Sequence, residues 1–301
     1  MRFAVLGAGA VGCYFGGMLA LHGHDVVFIG RPLHVDAIRA HGLRLHTRTF
    51  DQRVPVDASI QTDAARSADV VLVCVKSGDT ADVARALRDV LAPHAIVVSL
   101  QNGVDNAALL RAELDRPVIS AAVYVASEMA GPGYLLHHGR GDLAIEASPS
   151  SERLAHVLRE AGIPTRIDDD VRATLWRKFM LNCAYNAISA IVHLPLGEMP
   201  HRDALRATMG AAVAECLAVA AAEGVHFTEG PAEIVAQIEA TIPAGQYSST
   251  AQDLARGKPC EIDHLNGAIV RRGLAAGIDT PVNRTLHLLV KMLEAKAAAR
   301  A

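Results

Sequence analysis

The sequence predicts an α/β protein in two parts. Residues 1–170 form a Rossmann-type, doubly wound, mainly parallel sheet, and residues 171–301 form an all-helical C-terminal domain. Three observations predict this. Short apolar runs alternate with helical patterns through the first half. A Gly-x-Gly-x-x-Gly motif, Gly7 to Gly12, directly follows the first apolar run. After Asp170 strand signals nearly vanish and long helical patterns take over.

The alternation can be followed element by element. Arg2 to Leu6 is a short apolar run that ends in glycines and reads as a buried strand. Val11 to His22 has helical length, and Asp25 to Ile29 is a second strand. Gly42 to Thr47 and Arg53 to Ala58 alternate like short strands. Ala68 to Val75 is a strongly apolar strand, Thr80 to Leu91 an amphipathic helix, and Ala95 to Leu100 a strand closed by Gln101-Asn102-Gly103. Val104 to Leu114 is helical and Val118 to Val125 is a strand. Tyr134 to His138 and Asp142 to Glu146, parted by Gly139-Arg140-Gly141, read as antiparallel strands at a sheet edge. Ser150 to Ala161 is a helix and Thr165 to Ile167 a last strand. The helices expected next are Val171 to Val192, His201 to Glu223, Ala232 to Ala240, Ser249 to Arg256, Glu261 to Ala276 and Pro281 to Ala299. Gly224, Pro231, Gly257 and Gly277 punctuate them.

Composition narrows the function. With 51% hydrophobic and 20% charged residues, the 301-residue chain can bury a proper core. A net charge of −3 gives no electrostatic case for nucleic acid or an anionic membrane. The five cysteines, Cys13, Cys74, Cys183, Cys216 and Cys260, are scattered and form no Cys-x-x-Cys pair. They suit a reducing compartment and read as small buried hydrophobes. No uninterrupted apolar stretch reaches about 18 residues, so no membrane span is expected and the cytoplasm is the default. The glycines after Arg2 make the N-terminus a poor signal peptide. The fourteen histidines are dispersed, and no metal cluster is expected. The apolar second domain permits a homodimer.

The glycine motif is the first chemical signal. Gly7 permits a tight turn, Gly9 lets backbone approach a pyrophosphate, and Gly12 allows close helix–strand packing. The N–H groups at the helix start, around Ala10 and Val11, would face the anion. A glycine-rich turn without a ligand is the plain alternative. The end of the second strand carries Arg31 where an NAD-binding site would carry a carboxylate. A guanidinium suits the 2′-phosphate of NADP, unless Arg31 is simply a solvated loop residue. Lys76, ending the strand at Ala68 to Val75, could add a second cation or be a plain surface lysine. Asn102 follows a strand at its carboxyl end, where ligands sit in open α/β sheets, although Asn-Gly also suits a simple turn.

The second signal lies on the helix from Val171. Lys178, Asn182 and Asn186 are spaced by four and fall within an arc of about 80° on one face. Their neighbours Phe179, Met180, Leu181, Cys183, Ala184, Ile188 and Ile191 make the helix largely apolar. Buried polar groups cost about 1–3 kcal/mol each unless paired, so such a stripe lines a cavity or joins a network. Ser249 and Glu261 follow later in the chain. By itself Glu261 could merely favour a helix N-terminus.

Taken together these pieces resemble the ketopantoate reductase (2-dehydropantoate 2-reductase) family along nearly the whole chain. The resemblance rests on Gly7 to Gly12, Arg31, Lys76 and Gln101-Asn102-Gly103. It continues through Lys178, Asn182, Asn186, Ser249 and the stretch from Glu261-Ile262-Asp263 to Asn266-Gly267. It implies reduction of ketopantoate to D-pantoate with NADPH, on the way to pantothenate and coenzyme A. It makes Lys178 the general acid and lets Glu261 bind the substrate hydroxyl and orient Lys178. Asn182, Asn186 and Ser249 would hold the substrate, and Asn102 would sit where cofactor and substrate meet. Arg31 and Lys76 would grip the 2′-phosphate. The chain departs from the family at Gln246, Thr250 and Asp79. The first two concern the expected substrate region, so another 2-keto acid stays open as substrate. More distant alternatives are a 3-hydroxyacid dehydrogenase and an NADP-binding sensor without catalysis.

Overall fold

The computed structural model describes residues 1–239 and 245–298. It divides the chain into two compact units, Met1–Val171 and Arg172–Ala301.

In the first unit, β1 (Arg2–Leu6) leads through α1 (Ala10–Leu21) to β2 (Asp25–Ile29) and α2 (Pro32–His41). Next come β3 (Leu43–His46), β4 (Asp51–Val54), β5 (Asp57–Ser59) and β6 (Val70–Val73). They are followed by α3 (Thr80–Arg88), β7 (Ile96–Ser99), α4 (Asn106–Leu114), β8 (Val118–Gly131), β9 (Tyr134–Glu146), α5 (Ser151–Glu160) and β10 (Thr165–Asp168). The strand order is β4-β3-β9-β8-β7-β6-β1-β2-β5, with β10 alongside β9. β5, β2, β1, β6, β7 and β8 run parallel. The chain leaves β1 toward β2 on one side and returns to β6 on the other. That reversal is the switch point at which doubly wound sheets bind ligands.

The sheet is buried because its strands are apolar throughout. Phe3, Val5, Phe28, Val70 and Leu72 pack into one core, and Ala4, Leu6, Val27, Val71 and Val73 into another on the opposite face. Successive strand residues alternate between the two, as the period of two requires.

In the first unit three expectations need correction. The single strand expected over Arg53 to Ala58 is two strands broken at Pro55-Val56. β4 pairs antiparallel with β3, and β5 pairs parallel with β2, at opposite ends of the strand order. Pro55 brings no N–H to a ladder, which permits the exchange. Three residue steps from Val54 to Asp57 span at most about 11 Å, so the sheet must curl until its ends approach. Secondly, Tyr134 to Glu146 is one strand and lies inside the sheet rather than at its edge. β9 has β8 on one side, and β3 and β10 on the other. Pairing with β8 shifts register around Gly139–Gly141, where Arg140 has φ 56°. A Cβ on Gly141 would overlap the Tyr14 ring of α1, so the kink is where helix and sheet close on each other. Thirdly, no helix was expected over Pro32–His41. Pro at its first turn and Gly42 with φ 70° at its end mark it, but it buries only Val35 and Ile38.

The second unit continues from α6 (Val171–Val192) through α7 (Asp203–Ala222), α8 (Pro231–Glu239), α9 (Ser249–Ala255), α10 (Asn266–Ala276) and α11 (Pro281–Ala298). The expected ends at Ala240 and Ala299 lie outside the described residues. α7 is long and apolar enough by composition to cross a bilayer. It packs against α8, α10 and α11, burying Met209, Ala212, Val213, Cys216, Val219 and Ala220. The helix expected over Glu261 to Ala276 is a short 3-10 turn, Ile262–His264, and then α10. Leu265, at φ −109° and ψ −104°, breaks the two apart.

Candidate active site

In the first unit the singled-out residues gather at the carboxyl ends of the parallel strands. Leu6 pairs with both Ile29 and Val73, and Val73 with Ser99, so these strand ends are level. The glycine motif, Arg31, Lys76 and Asn102 each follow one of them.

The glycines act differently from one another. Gly7 has φ 107° and donates its N–H to Ile29 O at 2.8 Å. A Cβ there would lie 2.8 Å from the Cys74 carbonyl group. Gly12 faces the turn so closely that a Cβ would overlap Gly7 O. Gly9 caps α1 with ordinary backbone angles, and a Cβ on it would meet nothing within 4 Å. The backbone at the start of α1, around Ala10 and Val11, is therefore reachable by a ligand at Gly9. It also carries the positive end of the helix dipole. Gly7 and Gly12 serve the turn, and Gly9 leaves room, which is the pattern a pyrophosphate requires.

Arg31 sits at the junction of β2 and α2, with 84% of its side chain exposed. Its guanidinium reaches Asp79 Oδ2 at 3.5 Å, so the turn after Lys76 comes beside Arg31. Lys76 is exposed and caps the short 3-10 turn Ser77–Asp79. An ion pair as open as Arg31–Asp79 contributes little to stability, so anion binding could displace it cheaply.

The reading by residue missed a buried network beneath Asn102. Gln101, only 5% exposed, donates through Nε2 to Val75 O at 3.0 Å and to Thr80 Oγ1 at 2.7 Å. It accepts from Ser99 Oγ at 3.1 Å. Thr80 donates to Asn106 Oδ1 at 2.8 Å. Asn106 Nδ2 in turn reaches Ser77 Oγ and Asn102 O, the latter at 2.6 Å. This ties the Asn102 turn, where Gly103 has φ 92°, to the Lys76 turn. The available signal was Gln101 itself, an amide directly after an apolar strand.

In the second unit α6 brings the predicted stripe together. Asn182 and Asn186 are 7% and 4% exposed, and Lys178 is half-buried on the same face one turn earlier. Asn186 Nδ2 points to Ser249 Oγ at 3.4 Å, joining two of the expected residues directly. Ser248, not singled out from sequence, makes this possible. It is buried, caps α9 by accepting from Ala251 N, and donates to Asn186 O at 3.0 Å. Ser249 stays exposed beside it. Asn266, fully buried, donates to Cys183 O and to Asn283 Oδ1, both at 2.9 Å, fixing α10 and α11 to the middle of α6. Glu261 is half-buried at the turn before α10.

Known proteins resemble this chain along nearly its whole length. Residues 3–150 match the family described as ketopantoate reductase PanE/ApbA, and residues 170–294 match its C-terminal part. The 2-dehydropantoate 2-reductase of Archaeoglobus fulgidus is 34% identical over 298 residues, covering 97% of this chain and 98% of that protein. The enzyme of the same name from Halobacterium salinarum is 34% identical over 307 residues, covering 98% of this chain and 99% of that protein. The crystal structure of a PanE/ApbA family ketopantoate reductase from Ralstonia eutropha has 54% identity and a TM-score of 0.93, with 99% of each chain covered. A D-mandelate dehydrogenase solved with NADH and anilino(oxo)acetate shares the fold, with a TM-score of 0.92, 24% identity and 99% of each chain covered. The chain therefore belongs to the ketopantoate reductase family, a family of nicotinamide-dependent reductases.

Proposed function

We propose that this protein reduces ketopantoate to D-pantoate with NADPH. The observation that carries the proposal is the polar face of α6. Lys178, Asn182 and Asn186 lie along one side of a largely apolar helix, and Asn186 reaches Ser249. An amide and a hydroxyl held together in this way can receive the carboxylate or hydroxyl of a small acid. The relatives named 2-dehydropantoate 2-reductase support the choice of acid.

The residues of the first unit fit the cofactor. Gly9 leaves the helix start open to the pyrophosphate, while Arg31 and Lys76 supply cations for a 2′-phosphate. Asn102 follows β7 at the same sheet edge. When bound, the reduced nicotinamide supplies a hydride. Lys178 then gives a proton from Nζ to the carbonyl oxygen as that oxygen gains charge, a contribution of about 10²–10⁴-fold for a well-placed acid. Asn182, Asn186 and Ser249 hold the substrate, and Glu261 accepts a hydrogen bond from its hydroxyl and orients Lys178. The protein's part is placement and charge.

A second reading, reduction of another 2-keto acid, is favoured by Thr250, which is buried at a departure from the family beside Ser249. One assay separates the two. NADPH oxidation is followed with ketopantoate and with 2-ketoisovalerate, which lacks the hydroxymethyl group and so the hydroxyl. A pocket that bonds this hydroxyl should reject the analogue strongly, by about 10⁴-fold at best. Equal kcat/KM for the two acids would refute ketopantoate as the substrate.

A further inference from the structure

The turn that carries Glu261 is bracketed by charges of α11. On one side, the Cys260 N–H donates to Glu294 Oε1 at 2.8 Å. On the other, Asp263 is gripped through both carboxylate oxygens, by His287 Nε2 at 2.6 Å and by Lys291 Nζ at 2.8 Å. Lys291 Nζ also lies 2.8 Å from Glu294 Oε2, which closes the ring. Arg271 adds a bond to Asp263 O at 2.8 Å. His287, Lys291 and Glu294 follow at spacings of four and three, so one face of α11 presents all three to the turn. Glu261 lies between the two anchor points, one residue after the first and two before the second.

A 3-10 turn this short has few backbone bonds of its own and does not hold a side chain rigidly. Burial and hydrogen bonding in the ring act where the turn lacks them. Glu294 is the most buried member, with 15% of its side chain exposed. Burial opposes ionisation of Asp263 and Glu294. Bonds from Lys291 and His287 to the former, and from Cys260 and Lys291 to the latter, outweigh it and hold both carboxyls below their ordinary values. None of these groups lies on the polar face of α6.

We propose that Lys291 and Glu294 are positioning residues which, through Asp263 and the Cys260 N–H, fix Glu261 for the hydroxyl of the substrate. This rests on the reading of Glu261 given above. Removing Lys291 would leave Asp263 and Glu294 as two carboxylates facing each other and would loosen the turn. A displacement of about 1 Å in a positioning group can cost up to about 100-fold in rate.

The test uses the full-length enzyme with Lys291→Met, Glu294→Gln and Lys291→Arg. The first two should lower kcat/KM for ketopantoate by about 10-fold or more. They should lower turnover of 2-ketoisovalerate less, since that acid loses only the orientation of Lys178 and no hydroxyl contact, and should change the Kd of NADPH little, while Lys291→Arg should keep most of the parent activity. In a Glu261→Gln background, Lys291→Met should cost nothing further. Hydrogen exchange of the amides of residues 260–264 should quicken in Lys291→Met, whatever substrate the enzyme uses. Unchanged exchange would overturn the proposal, as would equal losses on both acids or losses that multiply with Glu261→Gln. A parent enzyme with no ketopantoate turnover would instead refute the proposed function, and the exchange measurement would still decide whether the ring holds the turn.

Discussion

Replacing Gly9 and Gly12 separately by alanine should split cofactor binding from stability. Gly9 has φ −90° and ψ −171°, a conformation alanine adopts without strain, and its Cβ would meet no atom within 4 Å. Alanine is a poorer helix cap than glycine, at a cost of about 0.5–1 kcal/mol. The less flexible unfolded chain returns about 0.4–1 kcal/mol. The net change should stay within about 1 kcal/mol, or about 2–4 °C in Tm for a domain of this size. The same methyl group would occupy the approach to the first N–H groups of α1. Losing one charge-assisted hydrogen bond to a phosphate costs about 1.5–3 kcal/mol, so the Kd of NADPH should rise roughly 10- to 100-fold. Gly12→Ala should behave in the opposite sense. Its Cβ would overlap Gly7 O and lie 3.0 Å from Val5 Cγ1, contacts that only a backbone shift can relieve. Overpacking of this kind costs about 1–3 kcal/mol or more, and a Tm lower by about 2–12 °C is expected. Calorimetry gives the Tm values, and titration calorimetry with NADPH gives the Kd. Parent-like NADPH affinity in Gly9→Ala would refute the placement of the pyrophosphate. A Gly9→Ala enzyme as destabilised as Gly12→Ala would refute the open space itself.

Other outcomes follow from the same geometry. Lys178→Ala should lower kcat by about 10²–10⁴-fold with the Kd of NADPH nearly unchanged, and full activity would remove Lys178 as the acid. Arg31→Ala should weaken NADPH about 10-fold or more while leaving NADH almost untouched, and equal losses measured for the two cofactors would remove Arg31 from the 2′-phosphate site. The ring at Asp263 makes a pH-dependent contribution to stability. Asp263 is faced by His287 and Lys291, and Cys260 by Glu294 and Asp253. Both Asp263 and Glu294 titrate lower in the folded protein than in the unfolded chain. Their stabilisation is present above the unfolded carboxyl range, near about 4, and is lost as pH falls through the lower folded values. The Tm difference between the parent and Lys291→Met should therefore shrink on acidification below that range, and a constant difference from neutral to acid pH would contradict the assignment.

Much of this molecule is legible in the residues because its strands are buried on both faces. The runs at Arg2, Asp25, Val70 and Ile96 are apolar without alternation, and each was found where it stands. Helix α6 was also found with its ends, since its apolar neighbours leave the polar stripe conspicuous. What escaped was decided by distant partners. Arg53 to Ala58 looks like one strand because nothing local says that Val54 pairs back to β3 and Ala58 across to β2. The break at Leu265 is equally silent. There Gly267 lies so near His287 that a Cβ would sit 2.9 Å from Nε2, so the start of α10 is set by α11. Helix α2 buries only two side chains and has no periodic stripe to display.

Several buried polar groups share a feature that residue patterns alone do not reveal. Asn106 and Ser77 donate to the carbonyl of Asn102, Ser248 to that of Asn186, and Asn266 to that of Cys183, beside Asn182. In each case a side chain hidden from solvent bonds the backbone of a candidate site residue or of its immediate neighbour. A carbonyl oxygen has two lone pairs, so those in α6 can accept this second bond while the helix keeps its own. Leaving any of these donors without an acceptor would cost about 1–3 kcal/mol, so each is held strongly to one partner. Within each unit the backbone of these candidate residues is thereby fixed from below. It gives Asn106, Asn266 and Ser248 a place in an apolar interior, and it is how Gln101 and Ser248 can matter to activity without reaching a substrate. An uncharged exchange tests the point: Asn266→Leu keeps roughly the size but loses the donor to Cys183 O. It should therefore lower activity as well as Tm. A lower Tm with unchanged kcat/KM would make Asn266 a matter of folding alone.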